Sequence, residues 1–152
     1  MAKEPSDEIK ESKKATCKGM TTQIFVEEPY GPEAIEFYKI VFRATELSRV
    51  TKTIKTSDKI KGTARFESCE LKIGPSCIIV SECNPDSYLV NKSSAGTRIG
   101  LVLKEIDGII ADAVELGAVS EEGDITTTGR RRAVIKDPYG IIWIIRSPAL
   151  LP

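Results

Sequence analysis

The chain has 152 residues, 41% hydrophobic and 29% charged, which fits one globular domain with a substantial core. Lys plus Arg number 22 and Asp plus Glu number 22, so the basic excess that phosphate neutralisation requires is missing and nucleic acid is not expected as a partner. There is no histidine, which excludes a Ser-His-Asp triad, a Cys-His pair, a His-ligated zinc and a His general base.

In chain order, residues 1–18 (MAKEPSDEIKESKKATCK) are charged and lack aromatics. They bury too little to offset the entropy of ordering, and read as a flexible tail ahead of one domain over residues 19–152. The tail has neither the apolar stretch of a signal peptide nor the Arg-rich, acid-poor composition of a transit peptide, so a cytoplasmic protein is expected. No apolar run is long enough to span a bilayer, so no membrane association is expected either.

"TQIFVEE" (Thr22 to Glu28) predicts a first strand. Pro32 stands where a helix begins, and Ala34, Phe37, Tyr38, Val41 and Phe42 follow at the i, i+3, i+4, i+7, i+8 spacing of an apolar helix face. "ATELSRVTKT" predicts a strand, and the Lys-rich "KTIKTSDKIKG" a loop or hairpin tip. "TARFESCELKIG" and "SCIIVSEC" predict two strands around a turn at Gly74-Pro75. "NPDSYLVNKSSAGT" reads as a linker, assigned to residues 85–97.

The order then restarts. "RIGLVLKE" predicts a strand. Ile106, Ile109, Ile110, Ala113 and Val114 repeat the helical spacing, and Gly117 suits a helix end. Val119 opens a short strand. "RRRAVIK", the turn Asp137-Pro138-Tyr139-Gly140 and "IIWIIRS" form a closing hairpin. Two modules of strand, helix and three strands result, one over about residues 20–84 and one over about 98–148: an α+β fold of two βαβββ units.

The segments "AIEFYKIVF", "ELKIGPSCIIVSE", "IDGIIADAVELGAV" and "DPYGIIWII", in this order and spacing, resemble the vicinal oxygen chelate superfamily. That superfamily includes glyoxalase I, bleomycin-resistance proteins and extradiol dioxygenases. Among its members the chain is most similar to short glyoxalase-like proteins, plant ones included. The resemblance implies two quarter-barrels that pair into a cup around a ligand, commonly in a homodimer. Metal-using members take ligands from the inner face of four strands, two per module, and their ion stabilises an enolate-like intermediate.

The resemblance places those four positions here. The first is Gln23, fourteen residues before Phe37, and glutamine serves as a ligand there in glyoxalase I-like members. The second is Ile78 or Val80, with Glu82 the next residue on that face. The third, counted back from Gly117, is Arg98, a permanent cation with no lone pair to donate. The fourth is Ile144, where an acidic ligand is usual. A catalytic metal needs about three protein ligands, so neither metal nor other cofactor is expected.

The remaining residues suggest a side-chain site. Gln23, Arg98, Val80, Trp143 and Ile144 are candidate ligand-binding residues, although a lone strand aromatic such as Trp143 reads first as core packing. Glu82 and Arg98 are candidate catalytic residues: Glu82 as a base if buried, Arg98 as a fork for a carboxylate, phosphate or phenolate. The assignment depends on strand parity, because a one-residue slip turns each side chain to the other face. Arg130, Arg131 and Arg132 alternate sides and read as a charged edge rather than one patch. Cys69, Cys77 and Cys83 read as small buried hydrophobes, with Cys83 the candidate reactive thiol.

Three functions fit these residues. One is a protein for a small anionic metabolite that acts as a metal-independent isomerase or lyase. A second is a non-catalytic binder or sequestering protein of the bleomycin-resistance type. The third is a metal-dependent lactoylglutathione lyase-like enzyme, supported by Gln23 alone.

Overall fold

The computed structural model describes residues 16–56, 59–86, 97–127 and 130–148, and of residues 54–56, 59–63 and 122–127 the backbone alone. Most of the N-terminal tail and most of the predicted linker lie outside the described residues.

The first module contains β1 (Thr22–Glu27), α1 (Gly31–Phe42), β2 (Thr45–Thr56), β3 (Lys59–Ile73) and β4 (Ser76–Cys83). Its sheet has the order β1-β4-β3-β2, with β1 parallel to β4 and the other pairs antiparallel. The second module contains β5 (Ile99–Val102), α2 (Ile106–Glu115), β6 (Val119–Thr127), β7 (Arg130–Lys136) and β8 (Ile142–Arg146). Its sheet repeats the arrangement as β5-β8-β7-β6, with β5 parallel to β8. The strand-helix-three-strand order predicted for each half is observed. One local expectation changes: the Lys-rich segment is largely strand, because β2 continues to Thr56 and β3 starts at Lys59.

Alternation along the strands sorts their side chains onto two faces. Ile24, Val26, Cys69, Leu71, Ile73, Ile78 and Val80 of the first sheet join Ala133, Ile135, Trp143 and Ile145 of the second in one buried cluster. That cluster includes the apolar stripe of α1, so this is the helix face of each sheet. The two modules are joined through it. Trp143 lies 5.4 Å from the ring of Tyr38 and 4.7 Å from that of Phe42, so the second sheet packs on the helix of the first module. The opposite face of each sheet, here termed the open face, points away from this core.

The cysteines do not share one environment. Cys69 is buried in the core, Cys77 is exposed and Cys83 is half-buried. Burial, then the charges of Glu27 and Glu82, push the Cys83 thiol above its ordinary value. Less thiolate forms there at neutral pH, which argues against the reactive-thiol expectation.

Candidate functional site

The Asp-Pro-Tyr-Gly turn fixes the frame of the second sheet. Asp137 is only 3% exposed. Its Oδ1 accepts the backbone N–H groups of Tyr139 and Ile141, each at 2.9 Å. Its Oδ2 accepts the Trp143 indole N–H at 2.9 Å and the Tyr38 hydroxyl at 2.5 Å. Burial pushes the Asp137 carboxyl above its usual range, against the pull of these four donors. The buried Tyr38 hydroxyl is raised well above its ordinary value, by burial first and by Asp137 next. Gly140 closes the turn at φ +95°, a conformation suited to glycine. This carboxylate therefore holds the β7–β8 turn and ties it to α1.

With the turn fixed, the register of the hairpin follows. Lys136 pairs with Ile142, Val134 with Ile144 and Arg132 with Arg146. In parallel, Gly100 pairs with Ile144 and Val102 with Arg146. All of these residues occupy the open face. Val134 (1% exposed) and Ile142 (7%) are buried yet belong to no part of the main core, and so form a separate apolar floor on that face. Ile144 lies beside them, half-buried.

On the first sheet, Gln23 pairs in register with Ile79, and Phe25 with Ser81. The Gln23 side-chain amide donates to the Ser81 hydroxyl at 2.9 Å, and Ser81 is 6% exposed. The open face here is thus a polar pair, Gln23 and Ser81, flanked by the half-buried Phe25 and Ile79.

The candidate residues divide along these faces. Gln23 and Ile144 lie on the open face of their respective sheets. Arg98 is exposed, immediately before β5. Val80 and Trp143 do not line an open face: both are fully buried in the core, because their strand parity turns them toward the helices. The parity also shifts the second metal position of the family, since Ile78 and Val80 face the core and Ile79 and Ser81 face outward.

Glu82 shares the parity of Val80. Its Oε2 accepts the backbone N–H of Gly31 at 2.6 Å, at the first turn of α1. A carboxylate there offsets the unpaired N–H groups and positive end of the helix. Glu82 anchors α1 and is not the open-face base expected from the sequence.

Two features escaped the sequence reading. Ser81 is the partner of Gln23, and Arg146 stands opposite Arg132. The second was available in principle. Once Asp137 to Ile141 is read as the turn, counting outward pairs 132 with 146. Arg131, by contrast, turns to the helix side and pairs with Asp107 of α2 at 2.7 Å.

The four positions that the resemblance implies for metal ligands fall, by strand parity, at Gln23, Ile79 or Ser81, Arg98 and Ile144. A guanidinium and an aliphatic side chain offer no lone pair to a divalent ion. This donor set does not fit a catalytic metal. Among the described residues, no group of three or more Cys, Asp or Glu side chains gathers to hold one.

Comparison with known proteins agrees with this architecture. Residues 23–83 match the family model of the glyoxalase At5g48480-like N-terminal domain. No curated protein sequence matches the chain. Among solved structures, the Arabidopsis thaliana gene product At5g48480 is similar at 24% identity, over 86% of this chain and 98% of that one, with a TM-score of 0.62. The fosfomycin resistance protein FosX of Listeria monocytogenes, in complex with Mn(II) and sulfate, is similar at 15% identity over 89% and 94%, with a TM-score of 0.63. The PhnB protein of Bacillus cereus is similar at 16% identity over 86% and 100%, with a TM-score of 0.64. The first module thus matches that family model, and these neighbours share the fold of two strand-helix-three-strand modules.

Proposed function

We propose that this protein binds a small anionic metabolite on its open sheet faces without a catalytic metal, and that it works as a binder rather than a catalyst. The observation that carries the reading is the donor set at the superfamily's metal positions: an amide at Gln23, a guanidinium at Arg98 and an aliphatic chain at Ile144. Apolar walls with a few polar groups suit a small molecule. Gln23 with Ser81 supplies neutral hydrogen bonding, and Arg98 a charged fork for an oxyanion.

The binding reading stands ahead of the metal-independent isomerase or lyase because Glu82, the base expected from the sequence, is occupied at the start of α1. A proton-transfer enzyme needs another open-face group within reach of its substrate. The metal-dependent lyase reading has only Gln23 in its favour.

Val102 on the open face of the second sheet is 60% exposed. A homodimer in which the open faces of two chains close around the ligand covers it. Native mass spectrometry of the purified protein tests the reading. The expected result is a dimer that retains, or takes up from a panel of small organic acids, one small molecule per site and returns it unchanged. A monomer that binds none of them, or conversion of a bound molecule to product, overturns it.

A further inference from the structure

The open face of the first sheet carries a carboxylate without a partner. Register sets Gln23 of β1, Ile79 of β4, Glu70 of β3 and Ser48 of β2 side by side in one row across that face. The next row holds Phe25, Ser81, Ser68 and Val50. Glu70 is half-buried among them. Among the described residues its carboxylate has neither a hydrogen-bond donor nor an ion-pair partner, and its oxygens stay accessible. Two other charged residues share this face. Lys72, one row before, is exposed and forms no ion pair with Glu70, and Glu27 stands two rows beyond.

An ionised carboxylate only accepts hydrogen bonds. Partial burial without a donor costs free energy that a donor on a ligand recovers. Gln23 adds a second acceptor. Its Nε2 donates to the Ser81 hydroxyl, which leaves Oε1 free. Neighbouring strands stand about 4.8 Å apart, so the Cα atoms of Gln23 and Glu70 flank Ile79 at a separation of about 10 Å. A small group resting on the half-buried Ile79 side chain meets acceptors from both sides. A protonated amine brings three donors, no acceptor and the charge opposite to that of Glu70. A hydroxyl brings one donor and no charge, and an ionised acid brings no donor.

We infer that Glu70 and Gln23 form a subsite for a protonated amine seated over Ile79, so that the ligand is of the amino-acid type, with an amine besides its acid group. The contact to Glu70 is charge-assisted and so the stronger of the two. Paired with an ammonium, the Glu70 carboxylate is held ionised and serves as an anchor rather than a base. This assignment deepens the binding reading above and rests on it: it names the end of the ligand that the first sheet holds.

The test uses the full chain with ethylammonium chloride, and with ethanol as the neutral hydroxyl on the same carbon skeleton, at matched ionic strength. Side-chain NMR signals report where each probe binds. The expected result is saturable shifts at the Glu70 carboxyl carbon, the Ile79 methyls and the Gln23 amide with ethylammonium, and much weaker ones with ethanol. Glu70→Gln weakens ethylammonium binding by about tenfold or more, the value of a hydrogen bond to a charged group. Glu70→Asp falls between, since it keeps the charge and shortens the arm. Glu115→Gln, an equal change of net charge at an exposed site on α2, leaves binding intact. Should Glu70→Gln disturb folding, Gln23→Ala is expected to weaken ethylammonium binding in the same direction.

No saturable shift at Glu70, equal shifts with ethanol, or ethylammonium bound equally well by wild type and by Glu70→Gln overturns the assignment. If native mass spectrometry then shows a retained acid without an amine, this subsite is refuted while the binding reading stands. If it shows no ligand, both fall.

Discussion

At the residue scale, one carboxylate decides where the closing hairpin sits. Asp137 gathers donors from its own turn, from β8 and from α1. Tyr38→Phe removes the hydroxyl donor and leaves the carboxylate with three partners. The expected loss of stability is about 1.5–3 kcal/mol, the range for a hydrogen bond to a charged group, measured by urea denaturation. The same variant raises the Asp137 pKa further, because the lost bond favours the charged form. In the wild type the folded value already lies above the ordinary 3.8, so the folded state holds the proton more tightly than the unfolded state. The contribution of Asp137 to stability is therefore fullest below that ordinary value and is lost as pH rises through the folded one. Carboxyl carbon NMR of Asp137 checks both points. A midpoint at or below the ordinary value, or one that Tyr38→Phe leaves unmoved, contradicts this account.

At the element scale, the junction of α1 with its sheet is close-fitting. Gly31 begins the helix beneath the ring of Phe66 and beside the Glu82 carboxylate. A Cβ there would sit 2.6 Å from Glu82 Oε2 and closer still to the Phe66 ring. Gly31→Ala must displace both of them, and is expected to cost about 1–3 kcal/mol as an overpacked contact. A melting temperature equal to that of wild type would show that α1 is not anchored in this way. At this junction the sequence alone does not place Glu82. Its strand, "SCIIVSEC", is apolar at 78, 79 and 80 alike, so periodicity alone does not separate the helix face from the open face. The helices were legible because their apolar residues recur at the helical period. The long β2–β3 hairpin was less so, because its lysines imitate a loop.

At the scale of the whole molecule, the doubled module was legible from the sequence because each half repeats the same order of patterns. Strand existence came through while strand parity did not, and the candidate site suffered accordingly. Gln23 and Ile144 reach open faces. Val80 and Trp143 fall in the core, and Arg146 came to light only when the hairpin register was fixed. The two sheets share a core through α1, and Val102 on the open face of the second stays 60% exposed, which is the physical ground for expecting a second chain there.

The central claim is that the candidate site works through side chains and not through a metal. The most direct test is elemental analysis after dialysis against zinc, nickel, iron(II) and manganese(II) in turn, followed by gel filtration. The account predicts no stoichiometric uptake of any of them, because Arg98 and Ile144 offer no lone pair at two of the four positions. One tightly held ion per site would contradict it and return Gln23 to the role of a metal ligand.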